Sequence, residues 1–193
     1  MRNSLDELLL RIRACRACEP FLPLGARPVV QAASAARILI AGQAPGLKVH
    51  QSGIAFDDAS GERLRDWMGI PRTLFYQPGT IAIVPMGFCY PGKQGHADAP
   101  PRAECAPLWR LALLEQLGSI QLTLVIGRYA QVWHLGAKQS LTEAAQAWRE
   151  HAPGLFVLPH PSPRNRPWLA RNPWFEAEVV PALRQAVARV LAA

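Results

Sequence analysis

No apolar stretch of this 193-residue chain approaches the ~20 residues that cross a bilayer as a helix, so nothing in it reads as a membrane span. There is no internal repeat, no low-complexity tract and no linker long enough to divide it, so a single domain over 1–193 is expected. The opening "MRNSLDELLLRIRACRAC" carries acids among its apolar positions and reads as an amphipathic helix rather than a signal peptide. A soluble, cytoplasmic protein is the expectation. Cysteine is scarce, with four in the chain, and lysine is far outnumbered by arginine.

Half of the residues are hydrophobic, enough for a sizeable core. The formal charge is +7 and the isoelectric point about 9.8, which favours a polyanionic partner such as nucleic acid. An ordinary basic surface would give the same excess. The preference for arginine adds a rigid fork suited to phosphates and bases.

Four short apolar runs punctuate the chain: "RILIA" at 37–41, "TIAIV" at 80–84, "LTLVI" at 122–126 and "LFVL" at 155–158. Helical patterns lie between and after them, in "GERLRDWM", "RAECAPLWRLALLEQLG" with Gly118 as its C-cap, "YAQVWHLG", "LTEAAQAWRE" and "FEAEVVPALRQAVARVLA". Strands alternating with helices predict a three-layer α/β/α sandwich around a mainly parallel four-stranded sheet. Each predicted strand runs into unusual chemistry: "GQAPG", "PMGFCYPG", "GRYA" and "PHPSPRN". Open α/β sheets bind ligands beyond the carboxyl ends of their strands, so four loops are expected to converge on one edge. In the last of them, prolines at 159, 161 and 163 stiffen a loop that presents His160. On that stretch alone a plain turn would read the same.

"GQAPG" after the first strand and "HPSPRN" after the last resemble the two signature motifs of the uracil-DNA glycosylase superfamily, and the resemblance spans nearly the whole chain. It implies that fold and a DNA N-glycosylase. The departures are specific. The acid that orients water in well-known members would stand at Ala44, and Gln43 stands where the closest iron–sulfur branch usually has glutamate. Pro85 replaces the asparagine that reads the uracil edge in that branch. "SGIAFDDASGERLRDWM" and Asn165 are more similar to a broader-specificity iron–sulfur branch.

Two residues separate Cys15 from Cys18, and fifteen separate Cys89 from Cys105. In an intracellular chain this pattern points to metal rather than disulfides, and by spacing zinc and an iron–sulfur cluster suit it equally. Four buried thiols are the alternative. The resemblance favours a structural [4Fe–4S] cluster over zinc, one that ties the N-terminal helix to the loop after the second strand.

The resemblance also distributes roles. Gly42, Gln43 and Ala44 would line the base pocket, Phe56 would stack on the extruded base, and His160 would donate to the pyrimidine O2 as charge builds there. Asp57 and Asp58 are the nearest acids. Either would orient water or stabilise the sugar cation, or else cap the following helix; Asp58 is the preferred one. Gln43 would act through its backbone or by holding water. Ser162 and Asn165 would contact phosphate and sugar, Asn165 also bordering the base, and Arg164 would wedge into the gap in the stack. Lys93, His96 and Arg102 are candidate phosphate contacts in "YPGKQGHADAPPR". No lysine in the motifs is placed for a Schiff base, so strand cleavage is not expected. "GQAPG" lacks the longer glycine pattern and the lysine of a phosphate loop. The expectation is a monofunctional glycosylase, a monomer, acting on DNA with uracil or another deaminated base. A non-catalytic module that binds damaged or single-stranded DNA is the alternative.

Overall fold

The computed structural model describes residues 4–192. Helix α1 (Leu5–Arg13) opens it, started by a capping box between Ser4 and Glu7. Strand β1 (Ile38–Ala41) follows, then α2 (Leu47–Ser52), α3 (Ala59–Met68), α4 (Arg72–Phe75) and β2 (Ile81–Ile83). A small antiparallel hairpin, β3 (Lys93–Gln94) and β4 (Ala97–Asp98), interrupts the long loop after β2. Then come α5 (Leu111–Glu115), β5 (Leu122–Ile126), α6 (Gly127–Leu135), α7 (Leu141–Gln146), β6 (Leu155–Leu158), α8 (Arg166–Arg171) and α9 (Val180–Ala192).

The main sheet has the order β2-β1-β5-β6 and every pairing in it is parallel. Its strands are apolar on both faces because helices cover both, as parallel strands require. Alternate residues point to opposite layers. Ile38, Ile40, Ile81, Ile83, Leu122, Leu124, Phe156 and Leu158 pack with Leu64, Trp67 and Met68 of α3 and with Leu183 and Val187 of α9. On the other face, Leu39 and Ala82 meet Leu8, Leu9 and Ile12 of α1, while Ala41, Val125 and Val157 meet Ala130 of α6 and Ala144 of α7. The result is the expected α/β/α sandwich.

Four details differ from the sequence pattern. The helix before β5 is capped at Gln116 rather than at Gly118, and it begins as a wide π turn at Ala106–Arg110. A second wide turn, Phe175–Val179, precedes α9. Each coincides with a proline, Pro107 within the first and Pro181 just after the second, whose missing N–H cannot close an ordinary helical turn. "LTEAAQAWRE" splits into α7 and a 3-10 turn at Trp148–Glu150. The third loop, "GRYA", passes straight from β5 into α6. Its Arg128 and Gln131 fasten the 137–140 segment, with Gln131 Nε2 donating to Gln139 O at 2.9 Å. Three loops, not four, build the pocket described next.

Candidate active site

A cavity of about 430 Å³ opens at the carboxyl ends of β1, β2 and β6, within the roughly 300–1,000 Å³ of small-molecule sites. Gly42, Gln43 and Ala44 line it from the first loop, Phe56 and Asp58 from the approach to α3, Pro85 from the second, and His160, Ser162 and Arg164 from the last. The first loop is held by the segment after β2, where Met86 N donates to Gly42 O and Gly87 N to Gln43 O, both at 2.9 Å.

Strand β6 delivers His160 half-buried at the cavity wall. The Ser162 N–H donates to its Nδ1 at 3.2 Å. A backbone N–H can only donate, so Nδ1 is the acceptor and the proton of the neutral ring sits on Nε2. Burial holds the His160 pKa below the ordinary 6.5, against the opposing charges of Asp58 and Asp98. The ring is a neutral donor. The loop closes on itself: Asn165 Nδ2 donates to His160 O at 2.7 Å, Asn165 N to Ser162 O at 2.9 Å, and Arg164 N to Ser162 Oγ at 3.2 Å. Asn165 thus holds the loop from behind and is not among the residues that line the cavity.

Phe56 has φ +55°, a left-handed conformation costly for a bulky residue. Its surroundings enforce it. A side chain on Gly61 would place its Cβ 1.8 Å from Phe56 O, Tyr76 donates from its hydroxyl to Ala55 O at 2.9 Å, and the Phe56 ring meets Phe75 edge-on at 6.2 Å. The ring edge lies 3.4 Å from where a Cβ on Gly42 would be, so bare glycine leaves room for the aromatic beside the first motif.

The two acids after Phe56 divide. Asp57 pairs with Arg72 at 2.7 Å, and that hydrogen bond holds its carboxyl below the usual carboxylate range. Asp58 lines the cavity, and its Oδ1 also accepts from Gly61 N at 2.9 Å as the N-cap of α3. Sequence reasoning set those two roles against each other; one carboxylate takes both positions. Gln43 Nε2 donates to Ala99 O at 3.3 Å, so the side chain is tied to the β3–β4 hairpin. Lys93 and Asp98 line the cavity from that hairpin and Lys48 from α2; the sequence reading missed Asp98 and Lys48. The signal was weak: two residues of the "GKQGHAD" turn face each other only once the hairpin forms. His96 lies exposed near its tip. Arg102 is elsewhere, paired with Glu104 at 2.6 Å and stacked over Phe21.

Chain comparison supplies the deciding observation: the model of the uracil DNA glycosylase superfamily matches residues 29–184. The chain belongs to that superfamily. Both of its motif loops, 42–46 and 160–165, fall inside the matched span, whereas Cys15 and Cys18 precede it. Superfamily membership supports a uracil-DNA-glycosylase-like function at the level of the family.

The four cysteines of this superfamily member come from just past α1, the turn that follows, the middle of the second loop and the start of the π turn, and all of them line one cavity. Trp109 Nε1 donates to Cys15 Sγ at 3.2 Å and Phe88 N to Cys105 Sγ at 3.3 Å. Burial pushes the Cys89 thiol up to about 11 and Cys105 up to about 12. Among the described residues no group of three or more His, Cys, Asp or Glu side chains is arranged to hold a single metal ion. Nor is any described helix long and apolar enough to cross a membrane.

Proposed function

We propose that this superfamily member is a monofunctional DNA glycosylase that hydrolyses the N-glycosidic bond of uracil or another deaminated base, a step of base excision repair in the cytoplasm. One observation carries the reading: His160 stands on the wall of the pocket as a neutral ring with its proton on Nε2. A base extruded from the stack would lie against Phe56, with Gly42 making room. As the bond between C1′ and the base nitrogen breaks, the electron pair leaves with the base, and negative charge on its carbonyl oxygen meets the Nε2–H donor. The sugar is left cationic, water adds to C1′, and the water's spare proton passes to a carboxylate or to solvent. Asp58, the acid nearest the first motif that lines the pocket, would be one carboxylate to take that proton, and Gln43 steadies the hairpin beside it. Lys93, Arg164 and Ser162 border the pocket mouth as partners for phosphate and sugar, with Arg164 exposed enough to enter the duplex.

The donor set fits an iron–sulfur cluster better than zinc. A single zinc draws four sulfurs to roughly 3.8 Å of one another, given Zn–S bonds of about 2.3 Å; four thiols spread round one cavity, with N–H donors aimed at two of them, suit the wider cubane. Cys15, Cys18, Cys89 and Cys105 would hold the [4Fe–4S] cluster. Bound there it would supply a structural tie between α1 and the second loop. Protein purified without oxygen is expected to be brown, absorbing near about 400 nm, with iron and sulfide on analysis. Zinc without iron would end the assignment.

Duplexes bearing uracil, hypoxanthine or xanthine, treated with the protein and then with alkali, test the main reading. The parent is expected to leave alkali-labile sites. His160→Ala should keep its fold and DNA affinity and release base ~10²–10³-fold more slowly, the usual effect of removing one preorganised donor. A His160→Ala protein as fast as the parent would reduce the loop to a structural turn. No release from any of the three would favour the binding module, which the residues at Ala44 and Pro85 permit.

A further inference from the structure

The β3–β4 hairpin brings chemistry to the pocket that neither signature motif contains. Lys93 and Asp98 are register partners at its base, and both line the cavity that also holds Phe56, Asp58 and His160. The hairpin is anchored at that end twice. Ala99 N donates to Gly92 O at 2.9 Å, and Gln43 Nε2 donates to Ala99 O at 3.3 Å, one residue beyond Asp98. The Asp98 Oδ2 stands 3.5 Å from where a Cβ on Gly46 would be, so its carboxylate lies against the backbone of the first motif.

Three acids stand near this site, and they differ in what they are committed to. Asp57 is paired with Arg72. Asp58 spends one oxygen capping α3. Asp98 enters no ion pair among the described residues, although Lys93 is its register partner. Its charge reaches the His160 ring. A basic protein that binds a polyanion gains nothing in affinity from a free carboxylate at its pocket, since that charge repels phosphate. The same charge is favourable against a cation. In glycoside chemistry the cation forms at the sugar, beside the departing group.

We infer that Asp98, carried in on the β3–β4 hairpin, is the carboxylate that stabilises the sugar cation, while Asp58 chiefly holds the start of α3. This rests on the glycosylase reading above. Asp98 forms no bond in the step: the C1′–N pair leaves with the base, water adds to C1′, and the water's spare proton goes to Asp58 or to solvent. Gln43 is then a positioning residue, the tether between the first motif and the hairpin.

Single-turnover base release and two DNA ligands test it, using the whole protein. One ligand carries a cationic pyrrolidine in place of the sugar, the other a neutral tetrahydrofuran. Asp98→Asn is expected to slow base release by ~10²-fold, the size of a lost electrostatic contact at developing charge. It should weaken binding of the pyrrolidine DNA by a similar factor and bind the tetrahydrofuran DNA as tightly as the parent or more so. Asp98→Glu, which keeps the charge, should recover part of both losses. Equal weakening on both ligands would show a merely structural residue and overturn the inference. A parent that releases base together with an Asp98→Asn protein that keeps pace would overturn it alone. A parent that releases no base would overturn the glycosylase reading and this one with it.

Discussion

Phe56 is, among the described residues, the one non-glycine side chain held at positive φ. Such strain persists only where neighbours over-determine it, and here the determinant is Gly61. The Phe56 carbonyl fills the space a Cβ at position 61 would need, and Arg65 Nη1 reaches the same oxygen at 3.4 Å. Gly61→Ala must therefore move backbone, not a flexible side-chain end. The expected loss is about 3 kcal/mol, the upper part of the usual range for overpacking, seen as a fall of roughly 6–12 °C in Tm for a chain of this size. Base release should fall further than stability predicts, because the aromatic moves with the loop. A Gly61→Ala protein with the parent's Tm would show that the left-handed turn at Phe56 is not held from below.

At the scale of elements, the site is an edge built by helix starts and one hairpin. Helix α3 begins at Asp58, so the same turn that ends the Phe56 loop starts a helix whose Leu64, Trp67 and Met68 pack on the sheet. Asparagine caps helices about as well as aspartate, and alanine does not. Asp58→Asn should thus leave urea stability nearly unchanged, while Asp58→Ala should lose about 1 kcal/mol. Equal losses would mean that charge rather than the cap is what α3 needs. The "HPSPRN" loop works differently. Its prolines leave few backbone donors, and those of Ser162, Arg164 and Asn165 are used inside the loop. His160 is set before any base arrives.

Over the whole molecule, two histidines whose pKa burial lowers are expected to lose their stabilising contribution at higher pH than the lowered carboxyls do. Burial and the Arg110 charge lower the pKa of His134 to about 4 from 6.5, and its Nε2 lies 3.0 Å from Arg110 Nη2, a guanidinium buried on every side. The unfolded chain binds a proton there near the ordinary value and the folded chain does not. The contribution of His134 is therefore fully present above pH 6.5 and is lost as pH falls toward about 4. His160 shifts in the same direction. The lowered carboxyls of Asp57, Glu104 and Glu143 act only below their ordinary values of 3.8 to 4.5. His134→Gln should flatten the dependence of Tm on pH between 6.5 and 4. An unchanged slope in that window would assign the acid sensitivity elsewhere.

The sandwich was legible before any coordinates, because four apolar runs of strand length separated by helical periodicity admit few arrangements, and parallel pairing buries both faces of each strand. The motif loops were legible as well, since prolines and glycines announce where a chain turns. Other features depended on contacts between distant residues. No local pattern says that Asp57 goes to Arg72 while Asp58 stays at the pocket, that Asn165 turns back on His160 O, or that Arg102 leaves the site for Glu104 and Phe21. The β3–β4 hairpin is two residues per strand, too short for any period to show. Local periodicity and turn chemistry are written residue by residue, so the sequence alone determined the layers and the two motif loops. Which acid faces the pocket depends on the partner each one meets across the fold, and only the packed chain decided that.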